Sequence, residues 1–186
     1  MPRVARHTPE AWAAAALDAL AEGGVTAVAV EPVAARLGTS KSSFYWLFEN
    51  REALLTAALE LWERRETDEL LPRLAAVPDP AERLRALVHE AFGTGRNAVA
   101  LRLLFDSDAP SVHAIAKRVT NRRIAVIETA LRELGQAPEQ ARHLATAGYA
   151  VYLGTAALHR VDAAPLDERA YVDAVLKSFG VTRCGT

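Results

Sequence analysis

Apolar residues recur at helical spacing along nearly the whole chain, and the breaks between the runs carry turn and capping residues. Thr8-Pro9-Glu10 opens a first helix whose face is Trp12, Ala16, Leu17 and Leu20, and Gly23-Gly24 ends it. Val33, Ala34 and Leu37 then share a face at i, i+1, i+4 spacing, and Gly38 stands where a helix ends in a left-handed residue. Ser40 is an N-cap for a third helix with Lys41, Ser42 and Ser43 in its first turn and Phe44, Leu47 and Phe48 as its apolar side. A fourth helix is predicted over residues 51–71, stopped by Pro72, and carries Leu55, Leu59, Trp62 and Glu66 along one side. Further helices are predicted over residues 80–92, 98–105, 111–134, 138–160 and 167–179. Asn97 and Ser111 serve as caps, and Gly135 and Gly180 as stops. No segment alternates as a strand does, and no repeat or low-complexity linker interrupts the series. The predicted class is all-α, with about nine helices.

The run 138–160 adds a second expectation. From Leu144 to Leu158 it holds no charged residue, and a helix that is apolar or small on every side is buried on every side. A chain of 186 residues can cover one side, so a second subunit is expected against the other, where Ala147, Gly148, Val151, Gly154 and Thr155 allow close approach. A monomer with a central buried helix is the alternative.

Charge changes the picture less than the pattern does. The net charge is −1, and the first 55 residues hold the cations Arg3, Arg6, Arg36, Lys41 and Arg51 against Glu10, Asp18, Glu22, Glu31, Glu49 and Glu52. Any binding of a polyanion must therefore come from locally concentrated cations. Cys184 is the only cysteine, which excludes a disulfide framework and a thiolate metal cluster and fits a reducing cytoplasm. The first residues do not read as a secretory signal, and no run has the length and apolarity of a membrane span.

Residues 33–48 carry the candidate chemistry. Two helices joined at Gly38-Thr39-Ser40, the second with Lys41, Ser42, Ser43, Tyr45 and Trp46 turned away from its apolar side, form a helix-turn-helix suited to a DNA major groove. The same spacing also describes a helical hairpin with a solvated polar face.

The flanking residues extend the pattern. Gly24, Val33-Ala34, Gly38-Thr39-Ser40, Phe44-Tyr45-Trp46-Leu47-Phe48 and Asn50-Arg51-Glu52-Ala53-Leu54 follow one another in a register similar to that of the tetracycline-repressor (TetR) family of bacterial transcription regulators. The resemblance covers about the first 55 residues. It implies a three-helix DNA-binding domain at residues 1–52 and a helical ligand-binding and dimerisation domain at residues 53–186. It also implies a homodimer through the last two helices that reads a near-palindromic, double-stranded operator and responds to a small molecule, acting as a repressor. Arg36, Ser40, Lys41, Ser42, Ser43, Tyr45 and Trp46 are the expected DNA-binding residues, with further backbone contacts from Arg3 and Arg6. Three departures bear on affinity: Val28-Ala29 replace the usual threonines, Leu47 a common histidine, and Asn50 a lysine. Each removes a polar or phosphate-facing group, and phosphate contacts dominate sequence-independent affinity.

A ligand cavity in the body would draw its wall from Trp62, Phe92, Leu101, Leu104, Phe105, Tyr149 and Tyr152, each of which ordinary core packing also explains. Arg123 falls near the centre of the stripe Val112, Ala116, Val119, Val126 and Ala130, where a charge needs a partner. A salt bridge to Glu66 or Asp106, the dimer seam, or an anionic ligand would each serve. His89 and His113 are further polar candidates, although isolated histidines are more often surface residues. The expected effector is mainly apolar, with an anionic group where Arg123 faces it. Asp106, Asp108 and His113 lack a metal-motif spacing, and capping explains the two aspartates. No nucleophile triad, phosphate-cradling glycine loop or His-Glu-x-x-His run is present, so neither an enzyme nor a cofactor is expected. The alternative function is an all-helical small-molecule-binding or scaffold protein that has lost specific DNA binding.

Overall fold

The computed structural model describes residues 8–93, 97–105, 109–163 and 167–181. Among these the chain is helical, with no strand. The helices are α1 (Pro9–Gly23), α2 (Val30–Arg36), α3 (Lys41–Tyr45), α4 (Arg51–Glu63), α5 (Leu70–Ala75), α6 (Pro80–Gly93), α7 (Asn97–Phe105), α8 (Pro110–Glu133), α9 (Pro138–Arg160) and α10 (Glu168–Ser178). They form two compact units: residues 1–68 with 98–117, and residues 69–97 with 118–186.

In the first unit α1 packs along α4, and Trp12, Leu20, Phe44, Leu54, Leu55 and Leu59 are fully buried. Thr8 caps α1 as expected, Ala11 N–H donating to Thr8 Oγ1 at 3.2 Å, and Asn50 caps α4, accepting from Ala53 N–H through Oδ1 at 2.9 Å, a cap the sequence reading did not name. Two polar ties join the α7–α8 segment of this unit to the helices that carry the helix-turn-helix. Arg102 Nη2 donates to the Glu22 carbonyl at 2.9 Å, in the last turn of α1, and the Ser111 hydroxyl donates to the Glu52 carboxylate in the first turn of α4. A cation at a helix C-terminus meets carbonyls that the helix itself leaves unpaired.

The second unit closes around Leu84, Ala130, Leu131, Ala141, Ala145, Val172, Leu176 and Val181, drawn from α6, α8, α9, α10 and the residue that ends the described chain. Asp167 caps α10, accepting from Ala170 N–H at 3.0 Å. A Cβ built on Gly148 would stand 3.3 Å from the Phe179 ring, so glycine lets α9 approach the end of α10 closely.

Four expectations need correction. The predicted helix over 51–71 is interrupted by a π-turn at Arg64–Asp68, and Pro72 lies inside α5 rather than ending a helix. The wide turn starts a new helical segment two residues before the proline, so its missing N–H falls in a first turn, where no helical acceptor awaits it. Ser111 lies within α8, one residue after Pro110, and is not its cap. Leu47 is 37% exposed and leaves the apolar side of its helix, because α3 ends at Tyr45 and the turn at 46–47 breaks the helical stripe. On α9, Ala141, Ala145, Tyr149, Thr155 and Ala156 are buried, but Ala147, Ala150, Gly154 and Leu158 are exposed, so burial is not all round within one chain.

Candidate nucleic-acid interface

α2, the Gly38 turn and α3 are built from the inside outward. Phe44 is fully buried against Trp12, with ring centroids 5.5 Å apart, and stacks on Phe48 at the same separation with 16° between the planes. Val33 and Ala34 pin α2 to the same core. Gly38 turns the chain at φ +61°, a backbone conformation that costs a glycine little. The Arg51 guanidinium reaches back from α4 to the loop before α2, where Nε donates to the Val28 carbonyl at 2.6 Å and Nη2 to the Val25 carbonyl. One planar guanidinium thereby serves two carbonyls of this loop, that of Val25 also accepting from Val28 N–H at 3.2 Å. The rigid frame leaves α3 little freedom in direction.

The outward side carries the predicted residues. Tyr45 is 59% exposed, with its ring edge-on to Phe44 at 5.0 Å, and Trp46 is 88% exposed. A large aromatic side chain left this open has surface that the fold does not use. Ser40 occupies the N-cap position of α3, but its hydroxyl makes no capping bond; it lies 2.7 Å from Ser42 Oγ and 3.2 Å from Ser43 Oγ. Thr39 Oγ1 extends the hydroxyl chain to Ser43 Oγ at 3.1 Å.

Both cations among the candidates are already engaged. Arg36 forks onto Glu22, with Nη1 to Oε1 at 2.9 Å and Nη2 to Oε2. Lys41 Nζ lies 2.8 Å from Glu31 Oε1. These hydrogen bonds hold both carboxyls below the ordinary glutamate range and raise the lysine and arginine above theirs. Sequence reasoning named Arg36 and Lys41 and missed the glutamates that hold them, which stand 14 and 10 residues earlier in the chain.

The body candidates are divided between the two units. Trp62 and Leu101 are buried in the first unit, where Leu104 is 38% exposed. In the second unit Tyr149 is buried and Tyr152 half-buried, with ring centroids 5.6 Å apart, and Tyr149 Oη lies 3.4 Å from Thr120 Oγ1. Arg123 is half-buried rather than sealed in, and it is engaged within the protein. His89 and His113 are exposed. The side chains of Phe92 and Phe105 lie outside the described residues, as do Arg3, Arg6, Asp106 and Asp108. Among the described residues no group of histidine, cysteine, aspartate and glutamate could hold a metal ion, and no helix is long and apolar enough to cross a membrane.

Residues 13–58, which include α2, the turn and α3, match the family model described as bacterial regulatory proteins, tetR family. Over this stretch, about a quarter of its length, the chain is similar to that family. An HTH-type transcriptional regulator of Mycobacterium tuberculosis is 31% identical to it over 85 residues, 46% of this chain and 42% of that relative. The chain thus matches less than half the length of its curated relative. The fold extends further. A transcriptional regulator from Rhodococcus sp. Rha1 superposes with a TM-score of 0.72 at 24% identity, covering 92% of this chain and 97% of the other. AibR, solved in complex with isovaleryl coenzyme A and operator DNA, superposes with a TM-score of 0.67 at 18% identity, covering 91% and 96%.

The three departures from the tetR-like pattern have places in this structure. Asn50 takes up the capping of α4. Val28 is fully buried, and Ala29 leaves α2 without a side-chain cap, as its residue type requires. Leu47 is exposed and adds an apolar group beside Trp46.

Proposed function

We propose that the protein is a ligand-responsive, DNA-binding transcriptional regulator, acting in the cytoplasm as a repressor and not as an enzyme. The observation that carries this reading is the open pair Tyr45 and Trp46, presented on a short helix that Phe44 fixes from behind. Tyr45, Trp46 and the hydroxyls of Ser40, Ser42 and Ser43 approach base edges and phosphates in a major groove, and Lys41 and Arg36 meet the backbone. Residues 1–52 act as the reading head, and residues 53–186 bind ligand and dimerise. Two copies join through the last two helices, α9 and α10, so that two heads meet two half-sites of a near-palindromic operator. The uncharged, exposed face of α9 at Ala147, Ala150, Gly154 and Leu158 supports that seam. A small, mainly apolar effector binds in the body; the candidate contacts are Trp62, Leu101 and Phe105 in the first unit and His89, Phe92, Arg123, Tyr149 and Tyr152 in the second, and an arginine among them is compatible with an anionic ligand such as the isovaleryl coenzyme A bound by AibR. The effector releases DNA only by the difference in its affinity for the two head spacings.

One observation favours a second reading, a helical small-molecule-binding or scaffold protein without specific DNA binding. Each cation in the described part of the head, Arg36, Lys41 and Arg51, is already occupied by the protein itself. Fluorescence anisotropy on the DNA upstream of the coding sequence, against scrambled DNA at two salt concentrations, separates the two. Sequence-preferring, salt-sensitive binding supports the regulator; absence of binding at low salt by an intact dimer supports the scaffold.

A further inference from the structure

The structure assigns Glu31 a role as a specificity-determining residue: it neutralises Lys41 in the free head and so suppresses sequence-independent binding to DNA more than binding to a matched site. This inference rests on the DNA-reading function proposed above. Glu31 lies in the first turn of α2 and Lys41 in the first turn of α3, so the pair bridges the two helices of the reading unit at 2.8 Å. Both side chains are open to solvent, 73% for Glu31 and 52% for Lys41, so the pair is a weak one that a phosphate can displace. Displacement leaves the carboxylate beside the incoming phosphate, where it repels it. Among the described residues the groups that favour the charged form of Lys41 are Glu31, by hydrogen bond and charge, and the Tyr45 side chain.

Two consequences follow from counterion physics. Counterions condensed on the DNA are released as protein cations neutralise phosphates, and a lysine whose charge a resident carboxylate already balances neutralises little phosphate charge, so it contributes little to the salt dependence of binding. Phosphate contacts position a protein without reading sequence, whereas base contacts discriminate. On generic DNA nothing compensates for opening the Glu31–Lys41 pair. On a matched site the contacts of Tyr45 and Trp46 do. Glu31 therefore weakens generic binding more than specific binding. Arg36 and Glu22 repeat the device on the other side of α2, but the fork of two parallel hydrogen bonds makes that pair harder to open.

The test uses the full-length protein and a mixed-sequence 30-base-pair duplex, with anisotropy titrations across a salt series. The variants are Glu31→Gln, Lys41→Gln, the double variant, and Glu49→Gln, which removes an exposed head carboxylate that Lys41 does not hold. Glu31→Gln is expected to tighten generic binding about two- to fivefold and to steepen the slope of log affinity against log salt by about one. The gain is expected to vanish when Lys41 is also replaced, and Glu49→Gln to give less. Equal gains with and without Lys41, or from Glu49→Gln, would overturn the inference and leave a plain net-charge effect. No gain on a duplex that the wild type binds would overturn it while sparing the DNA-reading function. No binding of any duplex by wild type or Glu31→Gln at low salt would overturn both. All the substituted side chains are exposed, and circular dichroism confirms that each variant is folded.

Discussion

Around α3 the outward residues are a lysine, three serines, a tyrosine and a tryptophan; between residues 147 and 158 of α9 they are Ala147, Ala150, Gly154 and Leu158. Both surfaces are open to water in one chain, and their chemistry is opposite. The first is rich in hydrogen-bonding groups on a rigid base, as recognition of a polar, charged partner requires. The second is small and uncharged for three turns, which suits another helix at close range. A substitution at a surface position should therefore change one partner and not the other, whereas a substitution behind the surface should change the fold itself.

The largest effect is expected behind α3. Phe44→Ala removes the fully buried ring that joins Trp12 to Phe48 and should cost the head about 3–5 kcal/mol. Thermal unfolding monitored by tryptophan fluorescence should show the head melting early, and a midpoint unchanged from the wild type would mean that Phe44 does not organise this core. Next in size, Leu158→Glu places a charge on the open face of α9 at a residue 47% exposed, where the isolated chain tolerates it. Sedimentation velocity at micromolar concentration should show a shift from dimer to monomer with DNA-free folding intact. A dimer that persists would move the seam off this face.

The smallest effect concerns pH. Glu22 and Glu31 titrate below their ordinary value of 4.5 because Arg36 and Lys41 hydrogen-bond their charged forms. A depressed folded-state value means that the two pairs contribute fully above the unfolded carboxylate range and lose that contribution as pH falls through the folded values. The stability difference between wild type and a Glu22→Gln, Glu31→Gln variant should thus be present at neutral pH and close in acid below the ordinary glutamate range. Because both pairs are solvent-exposed, the difference should be small. A difference that widens in acid would contradict the assignment of the pairs.

Local chemistry was largely legible in the sequence where a residue acts on its near neighbours. Thr8 caps the helix that follows it, Gly38 adopts the left-handed turn, and Phe44 faces the core, whereas the caps Asn50 and Asp167 were not read as such. What else escaped reading depended on geometry between distant residues or on the end of a helix. Six acidic residues stand in the first 55, and only the folded turn brings Glu22 to Arg36 and Glu31 to Lys41. Leu47 continues the apolar spacing on paper, but the helix stops two residues earlier. Pro72 reads as a stop until a π-turn ahead of it resets the helical register. Arg123 sits on an apolar stripe by its angle, yet a long side chain can carry its charge to the edge of a half-buried position.

The central claim is that the outward face of α3 reads DNA. The most direct test measures Tyr45→Ala binding to the upstream duplex by gel-shift titration, with the oligomeric state of the same sample measured alongside. The account predicts a loss of operator affinity of about tenfold, as expected of a contact worth 1–2 kcal/mol, with dimerisation unchanged. Unchanged affinity in a dimer that binds the duplex would contradict it.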